Sequence, residues 1–151
     1  MKTLSDPEAR TEILERLQRV TPDCRRRWGR MNAHQMVCHL ADSIRGVMGD
    51  VHVSPGPGPL PRGILKFVAL KMPLKWPHGI RTRPEVDQED GGTRPTQFAA
   101  DLAALEILCG RFVGNPEAIL PEHPILGPMS QTDWMRWGYL HIDHHLRQFG
   151  R

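Results

Sequence analysis

Three histidines in this chain have the types and spacing of metal ligands: His39, His141 and His145. The last two belong to the run His141-Ile142-Asp143-His144-His145. At about 100° per residue, helical side chains four apart point the same way, one turn from each other. Trp134, Trp137, Gly138 and Gln148 fall on that face as well, so the pair sits in the middle of the stripe that should be buried. His144 falls on its edge and Asp143 on the opposite, solvent side. Neutral imidazole suits zinc, nickel, copper and iron. Two desolvated imidazoles on one dry face need compensation, and a cation between them supplies it. The third ligand must come from another helix, and His39 lies on the inward side of the one expected around it. Three protein ligands leave coordination positions free, the arrangement of catalytic and not of structural sites. Gly138, one turn before the pair, is expected to leave room above the metal.

A plainer reading stands beside this one. A single histidine buried in a bundle more often hydrogen-bonds to a carbonyl or to another histidine, and for His39 alone that reading is preferred. The His141–His145 pair shifts the balance towards metal. Ile142 stands where an HExxH motif would carry its glutamate, so metalloprotease chemistry of that type is not supported. Asp42, one turn past His39, either orients a ligand or is simply solvated. Asp42 and His144 are the candidates for an outer, ligand-orienting group or a base, and Gln148 beside His145 has the same two readings. Cys38 projects about 100° from His39 and reads as a core thiol. His34, near the start of its helix, is expected at the surface or in local capping. His52, His78 and His123 have no partner at ligand spacing. Trp134 and Trp137 read as core packing, with one edge available to line a pocket.

Four helices are expected to position these residues. Asp6, Pro7 and Glu8 open the first, whose apolar stripe is Ile13, Leu14, Leu17 and Val20. Asn32 caps the second, which runs to about Met48 with Met36, Leu40 or His39, Ser43 and Val47 inward. The third starts near Thr96 and ends at Gly114-Asn115-Pro116. Ser130, with Asp133 three residues later, opens the fourth as a variant capping box, and Gly150 stops it. Between the second and third, residues 49–95 are rich in proline and glycine, with Pro55, Gly56, Pro57, Gly58, Pro59 and Pro61 followed by a short basic helix over 62–72. A connection of this length is unusual within a compact domain. It makes sense if helices two and three run parallel, so that the chain must return along the bundle. The expected fold is therefore all-α: a four-helix bundle with a long crossover between helices two and three, occupying residues 1–151 as one domain.

The chain has 151 residues, 39% hydrophobic and 25% charged, which suits a globular protein. Three cysteines at scattered spacings read as reduced thiols. With no apolar run behind the initial Met-Lys-Thr, they point to the cytoplasm. The formal charge of +3 brings polyanions into consideration. Arg25, Arg26, Arg27 and Arg30 cluster around Trp28, but neither a groove-reading helix nor regularly spaced stacking aromatics accompanies them. They are expected in a solvated loop, with no nucleic-acid partner. The basic stretch from Arg62 to Lys75 was weighed as a membrane-surface or partner-binding element. Its helical period is imperfect and Pro73 breaks it, so no membrane partner is expected.

Trp28, then Met31-Asn32-Ala33-His34-Gln35 and Cys38-His39-Leu40-Ala41-Asp42, resembles the second helix of the DinB-like superfamily of metal-binding bundles. His141-Ile142-Asp143-His144-His145-Leu146-Arg147-Gln148 resembles its helix-four motif, and His123-Pro124-Ile125-Leu126-Gly127 the loop of an uncharacterised branch. The resemblance covers both ends of the chain and none of the proline-rich middle. It implies an up-down-down-up topology, a zinc, nickel or iron site ligated by His39, His141 and His145, and a homodimer. It further implies relatives that use a low-molecular-weight thiol, its sulfur activated by the metal. The family's arginine after the last histidine is displaced here, since Leu146 takes that place and Arg147 follows.

The expectation carried forward is a metal-dependent enzyme acting on a small molecule, with thiol transfer first and metal-assisted hydrolysis second. A non-catalytic metal-binding or stress-related module is the alternative. Neither a Ser-His-Asp arrangement nor a phosphate-cradling glycine loop occurs.

Overall fold

The structure, a computed structural model, describes residues 1–56 and 61–151. Pro57, Gly58 and Pro59 of the expected proline-rich turn lie outside the described residues. Within them the chain is mostly helical, with five α-helices and one two-residue antiparallel pair. Four of these are the expected bundle helices, and the fifth is the short basic helix expected in the crossover, which ends at Lys71.

Local chemistry explains where the helices begin. The Asp6 carboxylate accepts the Glu8 N–H and Pro7 opens α1 (Pro7–Gln18). Asn32 and Gln35 form a reciprocal capping box at the start of α2 (Ala33–Val47), with bonds of 2.8 and 2.9 Å. Ser130 and Asp133 do the same for α5 (Gln131–Gln148). The crossover helix α3 (Arg62–Lys71) stops before Pro73. The helix expected from Thr96 begins two residues later as α4 (Phe98–Gly114), and the Thr96 N–H ahead of it donates to the Asp101 carboxylate at 3.0 Å. The strands β1 (Glu122–His123) and β2 (Gly127–Pro128) close the loop before α5.

Contacts at the helix ends give the relative directions. Leu4 N–H bonds to the Met135 carbonyl at the start of α1, Arg16 pairs with Asp143 at 2.9 Å, and Arg151 reaches the Arg19 carbonyl beyond its end. So α1 and α5 run the same way. His34 meets Asp101 at the starts of α2 and α4, and Asp50 meets Arg111 at their ends, which makes that pair parallel too. Trp28, just before α2, meets Gln148 at the end of α5, so these two run in opposite directions. The chain between α2 and α4 must therefore travel back along α2, as its length suggested.

Helix α2 is enclosed on more sides than an amphipathic stripe requires. Met36, Leu40, His39, Ser43 and Val47 are buried as expected, but so is every other residue from 36 to 44. Its neighbours are α4, α5 and the 3-10 turn at Pro84–Val86. Two expectations about α5 need correction. Asp143 does not face solvent: α1 covers it, and it pairs with Arg16 and Arg147 at 2.9 Å each. Gly138 does not make room for a metal. A Cβ there would sit 2.7 Å from Leu4 Cδ1 and 2.9 Å from Phe112 Cε1, because position 138 lies about 60° around the helix from 141 and faces the core. Gly138→Val is expected to cost about 1–3 kcal/mol by overpacking, read as a lower urea midpoint, while leaving metal content per folded protein unchanged.

No helix among the described residues is long and apolar enough to cross a membrane.

Candidate metal centre

His39 from α2 meets His141 and His145 from α5 in the interior. The Nε2 atoms of His39 and His141 lie 3.3 Å apart, and the ligand atoms of all three rings lie within 4.8 Å of one another. Ring centroids stand 4.8–5.3 Å apart at steep angles, so the rings aim edges and not faces at the common point.

Hydrogen bonds on the far side of two rings decide which nitrogen carries the proton. His39 Nδ1–H donates to the Val86 carbonyl at 2.7 Å, which leaves its Nε2 lone pair free. For His145 the proton is placed by Gln148. The Gln148 amide nitrogen donates to the Trp28 carbonyl at 2.8 Å, so its oxygen must accept from His145 Nδ1–H at 2.9 Å. Both rings thus turn an unprotonated Nε2 inward. Burial, the largest cause, holds His39 below the usual imidazole range and His141 and His145 well below it. The neighbouring histidines push the latter two further down. All three are neutral at pH 7, with lone pairs available.

These observations fit a divalent ion. Two nitrogens about 2.0–2.1 Å from one tetrahedral ion lie roughly 3.3 Å apart. The separation of His39 Nε2 and His141 Nε2 matches that edge. On their inward sides the three rings share a single N–H···N contact among the described residues, between His39 and His141.

The remaining sequence candidates fall around this centre. Asp42 is buried, 2% exposed, and is not solvated. Its Oδ1 accepts from Arg45 and from Thr93 Oγ1 at 2.9 and 2.8 Å. Its Oδ2 accepts from Gln88 and from the Thr93 N–H at 3.0 and 2.7 Å. With both oxygens so occupied it does not reach the centre as a base. It holds the segment 86–93, whose first carbonyl orients His39. His144 is half-buried at the edge, its ring centroid 5.2 Å from that of His145, and its Nδ1 has no partner among the described residues. Burial, with help from Arg147 and His78, takes its pKa down to about 4.

The chain matches no protein-family model, no curated protein and no solved structure. Its site is therefore read from its own atoms.

Sequence reasoning missed several contributors. Val86 acts through its carbonyl, for which no side chain is a signal. Trp76 and His78 come from the crossover: Trp76 stands 6.1 Å from the rings of both His141 and His144, and His78 stacks on Trp28 at 3.9 Å. Trp134 and Trp137 are buried, as expected, and Trp137 lies 4.9 Å from His141. His34 is not a surface or capping residue. It is half-buried, 2.7 Å from Asp101 Oδ2, with the buried thiol of Cys38 also against that carboxylate.

His123 belongs to the loop before α5, packed on Trp134 and Trp137, where its Nδ1 accepts the N–H groups of Ile125 and Leu126 at 3.0 and 3.1 Å. Burial takes its pKa down to about 4 from an ordinary 6.5. Between those values the unfolded chain holds a proton there that the native protein does not, so stability falls as pH drops from about 6.5 towards 4. For this group the loss approaches about 3 kcal/mol. Urea midpoints at pH 7 and pH 5 check it, and in His123→Gln the decline should be shallower.

Proposed function

We propose that the chain is a metal-dependent enzyme of the DinB-like superfamily, an up-down-down-up four-helix bundle in which His39, His141 and His145 hold one zinc, nickel or iron ion. The paired directions of α1 with α5 and of α2 with α4, and the long return between them, support that topology. The single observation that carries the functional reading is the convergence of Nε2 atoms from two helices, with His39 and His145 already locked in the tautomer a ligand needs.

A divalent ion held there supplies Lewis acidity, lowering the pKa of a thiol or a water that approaches the open side. The chain's own residues do the rest. The Val86 carbonyl and Gln148 keep two rings aimed. Trp137 and Trp76 exclude water from one flank and so strengthen electrostatic interactions inside. His144, half-buried beside His145 and neutral at pH 7, is the candidate proton acceptor through its Nε2, its Nδ1 being buried without a partner among the described residues. The reaction class is thiol transfer to a small electrophile in the cytoplasm: the sulfur forms a bond to carbon, its proton passes to a base, and the leaving group departs with its electron pair.

Thiol consumption tests this. Protein stripped with chelator and reloaded with zinc, nickel or iron would be incubated with glutathione and monobromobimane. The proposal expects conjugation above background only in reloaded protein. Background rates with every metal, across several low-molecular-weight thiols, would leave the non-catalytic module as the reading.

A further inference from the structure

Of the eight large apolar side chains exposed among the described residues, five fall within residues 64–80 of the crossover: Ile64, Phe67, Met72, Leu74 and Ile80. Four of them are more than half exposed, with Phe67 at 57% and Leu74 at 58%. Helix α3 docks by its other side, where Leu65, Ala69 and the buried Leu70 pack on the core. Arg136 holds the Leu70 carbonyl at 3.2 Å, and Trp76 Nε1–H holds that of Ala69 at 2.9 Å. The exposed apolar residues therefore occupy the outward side of a helix and loop that are themselves anchored.

Charge is distributed to match. No acidic residue occurs between Asp50 and Glu85, while Arg62, Lys66, Lys71, Lys75, Arg81 and Arg83 are all basic. The rest of the chain has fourteen basic against seventeen acidic residues, so the whole net positive charge resides in this segment. Lys66 and Lys71 reach Asp133, and Arg83 reaches Ser54. Lys75 and Arg81 are exposed in the same loop as Leu74 and Ile80, whereas Arg62 lies against Gly127 on the docked side.

We propose that the outward side of residues 64–81 is a docking surface for an anionic phospholipid membrane, with Ile64, Phe67, Leu74 and Ile80 entering the interface and Lys75 and Arg81 meeting the headgroups. Apolar residues interleaved with Lys and Arg on a short surface helix are what interfacial binding requires. A second copy of the chain is a poorer occupant, because a two-fold contact would bring these cations against themselves. An acidic protein would satisfy the charges without accounting for four apolar side chains projecting outward. In the sequence, an imperfect helical period and the break at Pro73 weigh against a membrane-binding helix. The exposed apolar residues continue past that break in the anchored loop, so a continuous helix is not needed.

Co-sedimentation of the full chain with phosphatidylcholine vesicles, with and without phosphatidylserine, tests this. Two outward cations are expected to raise partitioning onto the anionic vesicles by about thirtyfold at low salt. High salt should remove most of that gain. Phe67→Glu with Ile64→Glu should abolish binding, and Lys75→Glu with Arg81→Glu should reduce it at least tenfold, both at unchanged helicity. Three results would each overturn the proposal: no binding by the native protein, binding that survives Phe67→Glu with Ile64→Glu, or concentration-dependent self-association that those substitutions remove. Equal affinity for soluble polyglutamate, insensitive to the apolar substitutions, would overturn it too and point to an acidic protein partner.

Discussion

His141→Ala is expected to reduce metal content of the purified protein to background and to weaken reloading by more than about a hundredfold, beyond what loss of an outer partner typically costs. The three ring centroids form a nearly equilateral triangle 4.8–5.3 Å on a side, and His141 Nε2 lies 3.3 Å from that of His39. Removing it leaves two ligands and a cavity on one side, which is too few for a stable site. A thermal measurement gives an independent readout. Ion at about one hundred times its dissociation constant stabilises the native state by about 2.7 kcal/mol. For a chain of this length that corresponds to a rise in Tm of roughly 5–10 °C. The native protein should show that rise and His141→Ala should not. His52→Ala, an exposed histidine in the crossover, should behave as the native protein does. Equal metal content and equal thermal shift in His141→Ala would remove this residue from the centre and with it the functional reading.

Asp42→Asn should lower metal affinity by about 10–100-fold although residue 42 touches no ligand ring. The carboxylate accepts four hydrogen bonds, three of them from Gln88 and Thr93. An asparagine of the same size presents an NH₂ where two donors already point, so one side of that arrangement must open. Segment 86–93 then loses its tether, and the Val86 carbonyl that sets the His39 tautomer moves with it. A stability loss of about 1–3 kcal/mol is expected from the donors left without an acceptor. Thr93→Val, which removes one of those donors and leaves Asp42 charged, should shift affinity in the same direction by less. Native affinity in Asp42→Asn would show that Val86 stays in place by other contacts and that Asp42 is structural only.

What these two substitutions probe divides along the line between local and distant information. The caps at Asp6, Asn32 and Ser130, the one-turn spacing of His141 and His145, and the crossover length are properties of contiguous residues. Helix geometry turns spacing into direction without any knowledge of the rest of the fold, so these were legible in the sequence. The inward position of His39 was legible for the same reason, since it shares a face with Met36 and Ser43. Tertiary structure alone decided what meets that face. Gly138 was expected above the metal and lies against Leu4 and Phe112, and Asp143 was expected in solvent and lies under α1. In both cases the partner is more than a hundred residues away or on another helix, beyond the reach of periodicity. The Val86 carbonyl is the clearest instance: every residue carries that group, so no sequence pattern marks the one that orients His39. Trp76, likewise, reaches the site only because a segment of no regular period returns across it.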